Sequence, residues 1–353
     1  MTNSRFENHL LSQFKIQYPI IQAPMAGGIT TPEFLKSVFD AGALPSLATG
    51  YRSLTGLKED LEALKTLGVS IYNANLFVPE LLTKETVAKA KPAYQALKPF
   101  YGALNITQEP IEFREIQELD DYAKKVELLL EYRVPIVSFV FDMPSLEIIR
   151  QFKAIGTYTI GTATSVEEVV ALDTLELDAI ILQGIEAGGH RASFISDCED
   201  GDDLRTLLKK AKQVTDRPLL VAGGICQYLD IDHYLTEGAA AAVIGTAFLA
   251  CAESGASSLH KEKILNACAG ETMLTNAFTG KWARGFTNRF MVQYAEDDLP
   301  VACYPVQHYF TSALRAEAKK NNFPEYMSLW AGMNAHRVTE KTVKALMARL
   351  VSP

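Results

Sequence analysis

Residues 218–225 read PLLVAGGI and residues 241–246 read AAVIGT, and both contain a short apolar run that leads into glycine. Near-continuous apolar runs of this length are typical of parallel strands that are covered on both faces. Six further β-rich runs precede them in the chain. The eight predicted strands are 19–23, 44–48, 70–76, 135–141, 157–161, 178–183, 218–222 and 241–245.

Amphipathic stretches with helix-start signals separate these runs. Thr31, Pro32 and Glu33 supply a capping residue, a proline at the first helical position and an acid in the first turn. Ser165 and Glu168 have the spacing of a capping box. Eight strands that alternate with helices favour an α/β fold of the (β/α)8 TIM barrel type over an open doubly wound sheet.

Two segments break this alternation. Residues 79–118 are polar and contain prolines, and about 100 residues with mainly helical patterns follow the last strand. We therefore predict a second, smaller and mainly helical domain over the mouth of the barrel. The predicted barrel comprises residues 1–78 and 130–250, with a C-terminal helix at 326–353 packing back on it, and the smaller domain comprises 79–129 and 251–325.

The composition is that of a folded protein, with 48% hydrophobic and 22% charged residues among 353. The net charge of −8 argues against nucleic acid or an anionic membrane as a partner. The apolar runs are too short for a membrane span and the first residues lack a signal-peptide pattern, so we expect a cytoplasmic location. The five cysteines contain no CxxC pair, which indicates neither a disulfide framework nor a zinc site.

The glycines after the last two strands carry the first functional signal. Phosphate groups in TIM barrels commonly bind at the loops after the seventh and eighth strands. Those loops contain Gly223 with Gly224, and Gly245 followed by Thr246. Glycine lets the backbone approach a phosphate closely, and consecutive N–H groups can form an anion-binding nest. Tight turns and close packing explain the same glycines equally well, so both interpretations stay open.

The sixth predicted strand leads into QGIEAGGHR (183–191), a loop with three glycines and a histidine. The ordinary pKa of histidine lies nearest neutrality, so His190 can take or give a proton at working pH. We expect His190 to be catalytic because of its place at the barrel mouth. The remaining histidines are expected to be structural; these are His9, His233, His260, His308 and His336.

The ends of the first and third strands suit a flat aromatic cofactor. Ala23, Pro24 and Met25 could lie along its face, and Asn75 could hydrogen-bond its heteroatoms. By composition alone Met25 is more often a residue that fills gaps in a core. The chain has no Walker loop, no complete GxGxxG after a strand, no Ser-His-Asp order and no HExxH metal motif. Nicotinamide binding on a Rossmann domain is therefore disfavoured.

Taken together, these segments resemble the nitronate monooxygenase family, formerly called 2-nitropropane dioxygenases, and its class I branch. The segments that carry the resemblance are PIIQAPMAGGITTPE (19–33), NANLFVP (73–79), LQGIEAGGHRASF (182–194), PLLVAGGI (218–225), AAVIGTAFLACAESGAS (241–257), TGKWAR (279–284) and SLWAGMNA (328–335). The resemblance implies a (β/α)8 barrel with a smaller domain, which binds FMN non-covalently at the strand ends and holds no metal.

The resemblance also implies roles for single residues. His190 would be the active-site histidine. The residues implied to bind FMN are Ala23, Pro24, Met25, Asn75, Gln183, Gly188, Gly189, Gly223, Gly224, Val243, Ile244, Gly245 and Thr246. The chain departs from the usual pattern in three places: VIGT (243–246) stands for the common QMGT, ATGY (48–51) for GAGY, and WAGM (330–333) for WAGQ.

The resemblance implies oxidation of alkyl nitronates, propionate 3-nitronate above all, with O₂ to the carbonyl compound plus nitrite and nitrate. We expect a monomer or homodimer. The alternative is an FMN-dependent NAD(P)H reductase of the enoyl-acyl-carrier-protein or quinone type, which shares the barrel and similar AGGH loops. A flavin-binding barrel without turnover would leave His190 unexplained. Candidates for binding the substrate carboxylate stay open: Tyr51, Lys281, Arg284, Tyr304 and Tyr309.

Overall fold

Parallel strands that alternate with helices make up most of the chain. The computed structural model describes residues 9–80, 82, 83, 86, 90–107, 117–196 and 199–353. The strands are β1 Ile20–Gln22, β2 Ser46–Ala48, β3 Asn73–Phe77, β4 Ile136–Val140, β5 Tyr158–Ala163, β6 Ala179–Gln183, β7 Gly189–His190, β8 Leu219–Ala222, β9 Ala241–Ile244, β10 Thr272–Thr275 and β11 Ala283–Phe286. The helices are α1 His9–Phe14, α2 Pro32–Asp40, α3 Leu54–Thr66, α4 Lys91–Ala103, α5 Gln117–Glu131, α6 Leu146–Ala154, α7 Val166–Asp173, α8 Leu204–Ala211, α9 Tyr228–Thr236, α10 Thr246–Leu249, α11 Ser258–Leu265, α12 Arg289–Glu296, α13 Val306–Phe310, α14 Ser312–Lys320 and α15 Val343–Val351.

Eight strands form one parallel sheet in the order β1-β9-β8-β6-β5-β4-β3-β2. The sheet closes on itself through a parallel bridge between Ile21 and Leu44, just before β2. The backbone N–H of Leu44 donates to the carbonyl of Ile20, and that of Gln22 donates to the carbonyl of Leu44, both at 2.9 Å. The predicted barrel and its eight strands are confirmed, with strand ends that differ from the prediction by at most three residues.

The helix-start signals act largely as predicted. The Thr31 hydroxyl accepts the N–H of Phe34 at the start of α2. The Ser165 hydroxyl likewise accepts the N–H of Glu168 in α7. The reciprocal half of that predicted capping box is wrong, because the Glu168 carboxylate accepts the N–H of Thr164 at 2.6 Å, one residue before the cap. This shift leaves the second carboxylate oxygen of Glu168 available to a distant loop.

Alternation along the strands divides their side chains between two apolar clusters. Side chains such as Ile160, Ile181 and Leu220 fill the barrel interior, together with Phe14 of α1. The intervening side chains pack outward against the helices in the main core, which also takes up Leu350 of α15. Because Gln183 lies two residues after Ile181, its side chain points into the barrel above this filled layer.

A second core lies apart from the barrel. Helices α4, α12, α13 and α14 contribute most of its buried side chains, among them Leu97, Phe290 and Leu314. A small antiparallel sheet in the order β10-β11-β7 accompanies these helices, and β7 belongs to the loop that carries His190. Part of the predicted segment 79–129 lies outside the described residues, so the boundaries of the smaller domain stay a prediction.

Two further expectations concern membranes and cysteines. No helix in the described ranges is long and apolar enough to cross a membrane. Cys226, Cys251, Cys268 and Cys303 are free thiols, and Cys198 lies outside the described residues.

Candidate active site

A cavity that is partly open to solvent lies at the carboxyl-terminal ends of the barrel strands. The active sites of TIM barrels lie at this end. His190 and every residue of the predicted FMN site line its wall. The fold therefore brings these residues together, while their roles toward a cofactor stay predictions.

The glycines after β8 and β9 form one end of the cavity. Gly223 and Gly224 have φ angles of +129° and +68°, a region that side-chain-bearing residues rarely adopt. A Cβ on Gly224 would lie 2.9 Å from the amide nitrogen of Asn334. That amide donates to the carbonyl of Gly224 at 2.8 Å, and the Thr246 hydroxyl accepts the N–H of Gly332 at 3.0 Å. A segment near the C-terminus thus packs directly on both glycine loops.

Two amide side chains brace the walls of the cavity. Asn75 of β3 donates through Nδ2 to the hydroxyl of Ser138 on β4 at 3.0 Å. Gln183, at the end of β6, donates through Nε2 to the carbonyl of His190 and accepts the N–H of Ala192 through Oε1, both at 2.9 Å. Gln183 therefore fixes the backbone on both sides of the histidine in addition to lining the cavity.

His190 is held from two directions. Its backbone pairs with Ala283 of β11, and its Nε2 lies 2.9 Å from the hydroxyl of Thr279. Burial, together with the smaller effects of the nearby charges of Lys281 and Arg315, lowers the pKa of His190 to about 3. The imidazole is therefore neutral at physiological pH, where it can donate or accept a hydrogen bond without carrying a charge.

Aromatic rings enclose His190. The ring of Trp330 lies 5.4 Å from the imidazole, that of Phe141 5.9 Å and that of Tyr304 6.4 Å, measured between centroids. Phe141 has a φ angle of +80°, and an aromatic residue adopts this strained conformation only where its surroundings hold it there. Lys281 Nζ lies 5.3 Å from the centre of the Phe141 ring and 3.1 Å from a Glu80 carboxylate oxygen. The site combines an apolar enclosure with a buried cation.

Three side chains connect the cavity wall to the second core. Tyr51, in the loop after β2, lines the cavity and stacks on His308 of α13. His308 in turn accepts a hydrogen bond from Arg315 of α14. Sequence reasoning placed His308 among the structural histidines and did not consider Arg315. Because α13 and α14 lie outside the strand–loop alternation, no spacing rule relates them to the strand ends.

The candidates for the substrate carboxylate fall into two groups. Tyr51 lines the cavity, and Lys281 and Tyr304 lie beside the rings that enclose His190. Arg284 and Tyr309 do not line the cavity, and the Arg284 guanidinium donates to the carbonyl of Ile185 at 3.1 Å.

Some contributors to the cavity wall were missed. Asn334 and Phe141 were not singled out from the sequence, and Trp330 was noted only as part of the WAGM segment. The left-handed backbone of Phe141 has no sequence signature. As for metals, no cluster of histidine, cysteine and acidic side chains within the described ranges could hold an ion.

The chain is similar to known proteins over nearly its whole length. The family model described as nitronate monooxygenase matches residues 8–352. A protein from Bacillus subtilis named probable nitronate monooxygenase is 36% identical over 346 residues, which cover 97% of this chain and 98% of that protein.

Solved structures agree with this match. A structure described as nitroalkane oxidase from Streptomyces ansochromogenes aligns with a TM-score of 0.88 at 35% identity, covering 97% of this chain and 96% of that one. A structure described as FabK from Thermotoga maritima aligns with a TM-score of 0.74 at 21% identity, covering 98% and 94%, which shows a shared fold. The chain belongs to the nitronate monooxygenase family and is a flavin-dependent oxidoreductase.

Proposed function

We propose that the protein is a cytoplasmic, FMN-dependent nitronate monooxygenase that oxidises small alkyl nitronates of the propionate 3-nitronate type with O₂. The observation that carries this proposal is the pair of cations near His190, which itself lines the cavity. Lys281, which is paired with Glu80, and Arg315, which has no ion pair among the described residues, both lie close enough to His190 to lower its pKa, so the imidazole is neutral beside positive charge. Such a site suits a substrate that is already an anion.

The residues of the cavity fit FMN. At one end, Gly223 and Gly224 have positive φ angles, and a Cβ on Gly245 would meet only the side chain of Ala23, so the backbone of these loops suits the close approach of a phosphate. At the other end, Ala23 and Pro24 offer a small, flat surface beside the amide of Gln183. When bound, FMN would supply the electron acceptor for nitronate oxidation and the reactivity toward O₂. The protein's own side chains would bind and orient the substrate.

The side chains near His190 would act on the substrate. The positive charges attract a nitronate, and His190 offers it a hydrogen bond from an uncharged ring. A pKa of about 3 makes His190 a weak base in the free protein, so it is poorly suited to remove a carbon proton from a neutral nitroalkane. The rings of Trp330, Phe141 and Tyr304 give this region an apolar surface. The site therefore favours a nitronate over its conjugate acid.

One other substrate class and one other reaction remain as alternatives. The relative described as nitroalkane oxidase makes neutral nitroalkanes a second candidate substrate for this chain. The FMN-dependent reductase alternative draws on a shared barrel, and at 21% identity the FabK structure supports the fold alone.

Anaerobic mixing separates these alternatives. The purified protein should be yellow and should release FMN, identified by chromatography, when it is denatured by heat. Propionate 3-nitronate should then bleach the flavin without O₂, whereas NADH and NADPH should not. Bleaching by NADH but not by nitronate would replace the proposal with the reductase, and a colourless protein that FMN cannot reconstitute would contradict both.

A further inference from the structure

A stack of two rings begins at the cavity wall with Tyr51 and continues away from the cavity with His308. The ring of Tyr51 and the imidazole of His308 lie 4.3 Å apart and are nearly parallel, at 7°. The edge of Tyr51 also meets Phe77 of β3, with centroids 5.4 Å apart. Tyr51 follows a barrel strand and His308 lies on a helix of the second core, so the stack joins the two regions beside the cavity.

Arg315 fixes the far side of this stack. Its Nη2 donates to Nδ1 of His308 at 3.1 Å and to the His308 carbonyl at 2.9 Å, while its Nε donates to the Thr311 hydroxyl at 3.2 Å. Because Nδ1 accepts this bond, the proton of the neutral imidazole lies on Nε2. Burial and the Arg315 charge lower the pKa of His308 to about 2, so the ring stays neutral.

The charge of Arg315 has no carboxylate partner within the described ranges. The other cation near His190, Lys281, pairs with Glu80 at 3.1 Å, whereas no ion pair to Arg315 exists among the described residues. All three hydrogen-bond acceptors of Arg315 are uncharged. A partly buried cation is costly unless an anion compensates it. The uncompensated charge of Arg315 lowers the pKa values of His308 and His190, and it also interacts electrostatically with Tyr51.

We propose that Arg315, behind the His308–Tyr51 stack, is a specificity-determining cation that favours substrates carrying a second negative charge besides the nitronate, and that it positions Tyr51 through His308. The inference rests on the proposed function and assigns to Arg315 the preference for nitronates with a carboxylate at the opposite end. The second charge of such a substrate supplies the anion that Arg315 lacks. Because the His308–Tyr51 stack is neutral, it places no competing charge between Arg315 and the carboxylate of the substrate.

A pair of matched substrates tests this inference. Propionate 3-nitronate and propyl-1-nitronate share the reacting group and the chain length, and only the first carries a carboxylate. In Arg315→Met the ratio of their kcat/KM values should fall about tenfold, which corresponds to about 1.4 kcal/mol, through a higher KM for propionate 3-nitronate. Arg315→Lys keeps the charge and should retain most of the ratio. Arg289→Met, which removes an exposed arginine of α12, is the control and should leave the ratio unchanged.

The positioning role has its own variant. His308→Phe keeps a ring that can stack on Tyr51 but removes the acceptor for Arg315. Because the charge of Arg315 remains, this variant should keep the preference for the carboxylate-bearing nitronate and weaken the binding of both nitronates by a similar factor. An unchanged ratio in Arg315→Met, or equal losses on both substrates, would overturn the proposal.

Binding without turnover keeps the inference separate from the proposed function. Succinate resembles the doubly charged nitronate and butyrate the singly charged one, and their dissociation constants can be measured by calorimetry on the flavin-loaded protein. Arg315→Met should weaken succinate binding about tenfold more than butyrate binding. If the wild type oxidises neither nitronate, the proposed function fails, while the succinate result still supports or contradicts the role of Arg315.

Discussion

At the scale of single residues, the environment of His190 determines its chemistry more than its residue type does. An ordinary histidine is about half protonated near pH 6.5, but burial and two neighbouring cations keep His190 neutral well below that. Removal of a proton from carbon needs an imidazole that is a good base, whereas hydrogen bonding to an existing anion needs only a ring that keeps its N–H and stays neutral. The geometry of Thr279, Lys281 and Arg315 around the imidazole favours hydrogen bonding.

The pH dependence of turnover should reflect this. We expect kcat/KM for propionate 3-nitronate to show no inflection near pH 6.5, because a pKa of about 3 leaves His190 neutral on both sides of that value. The measurement is a profile between about pH 5.5 and 8. His190→Asn, checked for equal FMN content, should give a profile of the same shape. An inflection near 6.5 in the wild type that disappears in the variant would show that His190 titrates in the normal range.

A second residue-scale prediction concerns the end of the cavity where the phosphate is expected. Gly245→Val should raise the dissociation constant of FMN at least about tenfold, because its methyl groups would extend into space that the phosphate needs. The apoprotein should fold normally, since Gly245 has a φ of −105° and a Cβ there would lie an ordinary 3.5 Å from Ala23. Fluorescence titration of FMN and thermal unfolding are measured together. Unchanged FMN affinity would contradict the phosphate assignment of this loop.

The sequence predicted the residues of the cavity well where they follow strands. The ends of parallel strands meet at one edge, so Ala23, Gln183 and Gly245 could be brought together from strand order alone. Arg315 could not be found in this way. It lies behind the Tyr51–His308 stack because a helix of the second core packs there, and the tertiary packing of helices leaves no spacing pattern in the chain.

At the scale of elements, a buried carboxylate connects the wall of the barrel to the loop of His190. Glu168, 1% exposed at the start of α7, accepts the N–H of Phe194 at 2.6 Å and that of Ile195 at 3.1 Å through one oxygen. Its other oxygen accepts the N–H and the hydroxyl of Thr164. The capping position that the sequence predicted is thus also an anchor for residues that directly follow the active-site loop.

Glu168→Gln should therefore destabilise the protein by about 1–3 kcal/mol, because an amide nitrogen cannot accept the N–H groups that one carboxylate oxygen binds. Urea unfolding measures the change. The neighbouring Glu167 is exposed, so Glu167→Gln is the matched control and should have little effect. Equal stabilities of the two variants would show that the carboxylate does not anchor the loop.

The elements themselves were predicted unevenly. Buried parallel strands are nearly continuous apolar runs, and all eight were found. The two-residue strand β7 was not, because Gly189 and His190 pair with β11 only through contacts made far along the chain. Glycine-rich sequence indicates a loop, and here tertiary hydrogen bonds turn part of that loop into an edge strand.

At the scale of the whole molecule, three enclosed histidines make the fold sensitive to acid. The pKa values of His190, His260 and His308 fall to about 3, 4 and 2, with burial as the largest cause in each. Their unfolded pKa is near 6.5, so below that value the unfolded chain binds protons that the folded chain does not. The stability these groups contribute is complete above pH 6.5 and is lost as the pH falls toward the folded values.

We expect the free energy of unfolding to fall by about 1.4 kcal/mol per pH unit for each of these histidines between about pH 6 and 4. The urea midpoint, followed as a function of pH, measures the slope. His260 Nε2 donates to the carbonyl of Trp330 at 2.9 Å, and a glutamine amide can also donate there. His260→Gln should therefore reduce the slope by about the contribution of one histidine. The exposed His336→Gln is the control. Identical slopes for wild type and His260→Gln would contradict the prediction.

The closure of the barrel has a consequence for its motion. Between β1 and β2 the ring is joined by two backbone hydrogen bonds of Leu44 and one from the N–H of Ser46 to the side chain of Gln22, whereas β3 and β4 pair over five residues. A seam with so few hydrogen bonds opens locally at a lower free energy than the rest of the sheet. Deuterium should therefore replace the amide hydrogens of Gln22 and Leu44 sooner than those within β4. Because Ala23 and Met25 follow this seam directly, FMN bound against them should slow the exchange of these amide hydrogens. The dissociation of FMN should begin with the separation of β1 from β2.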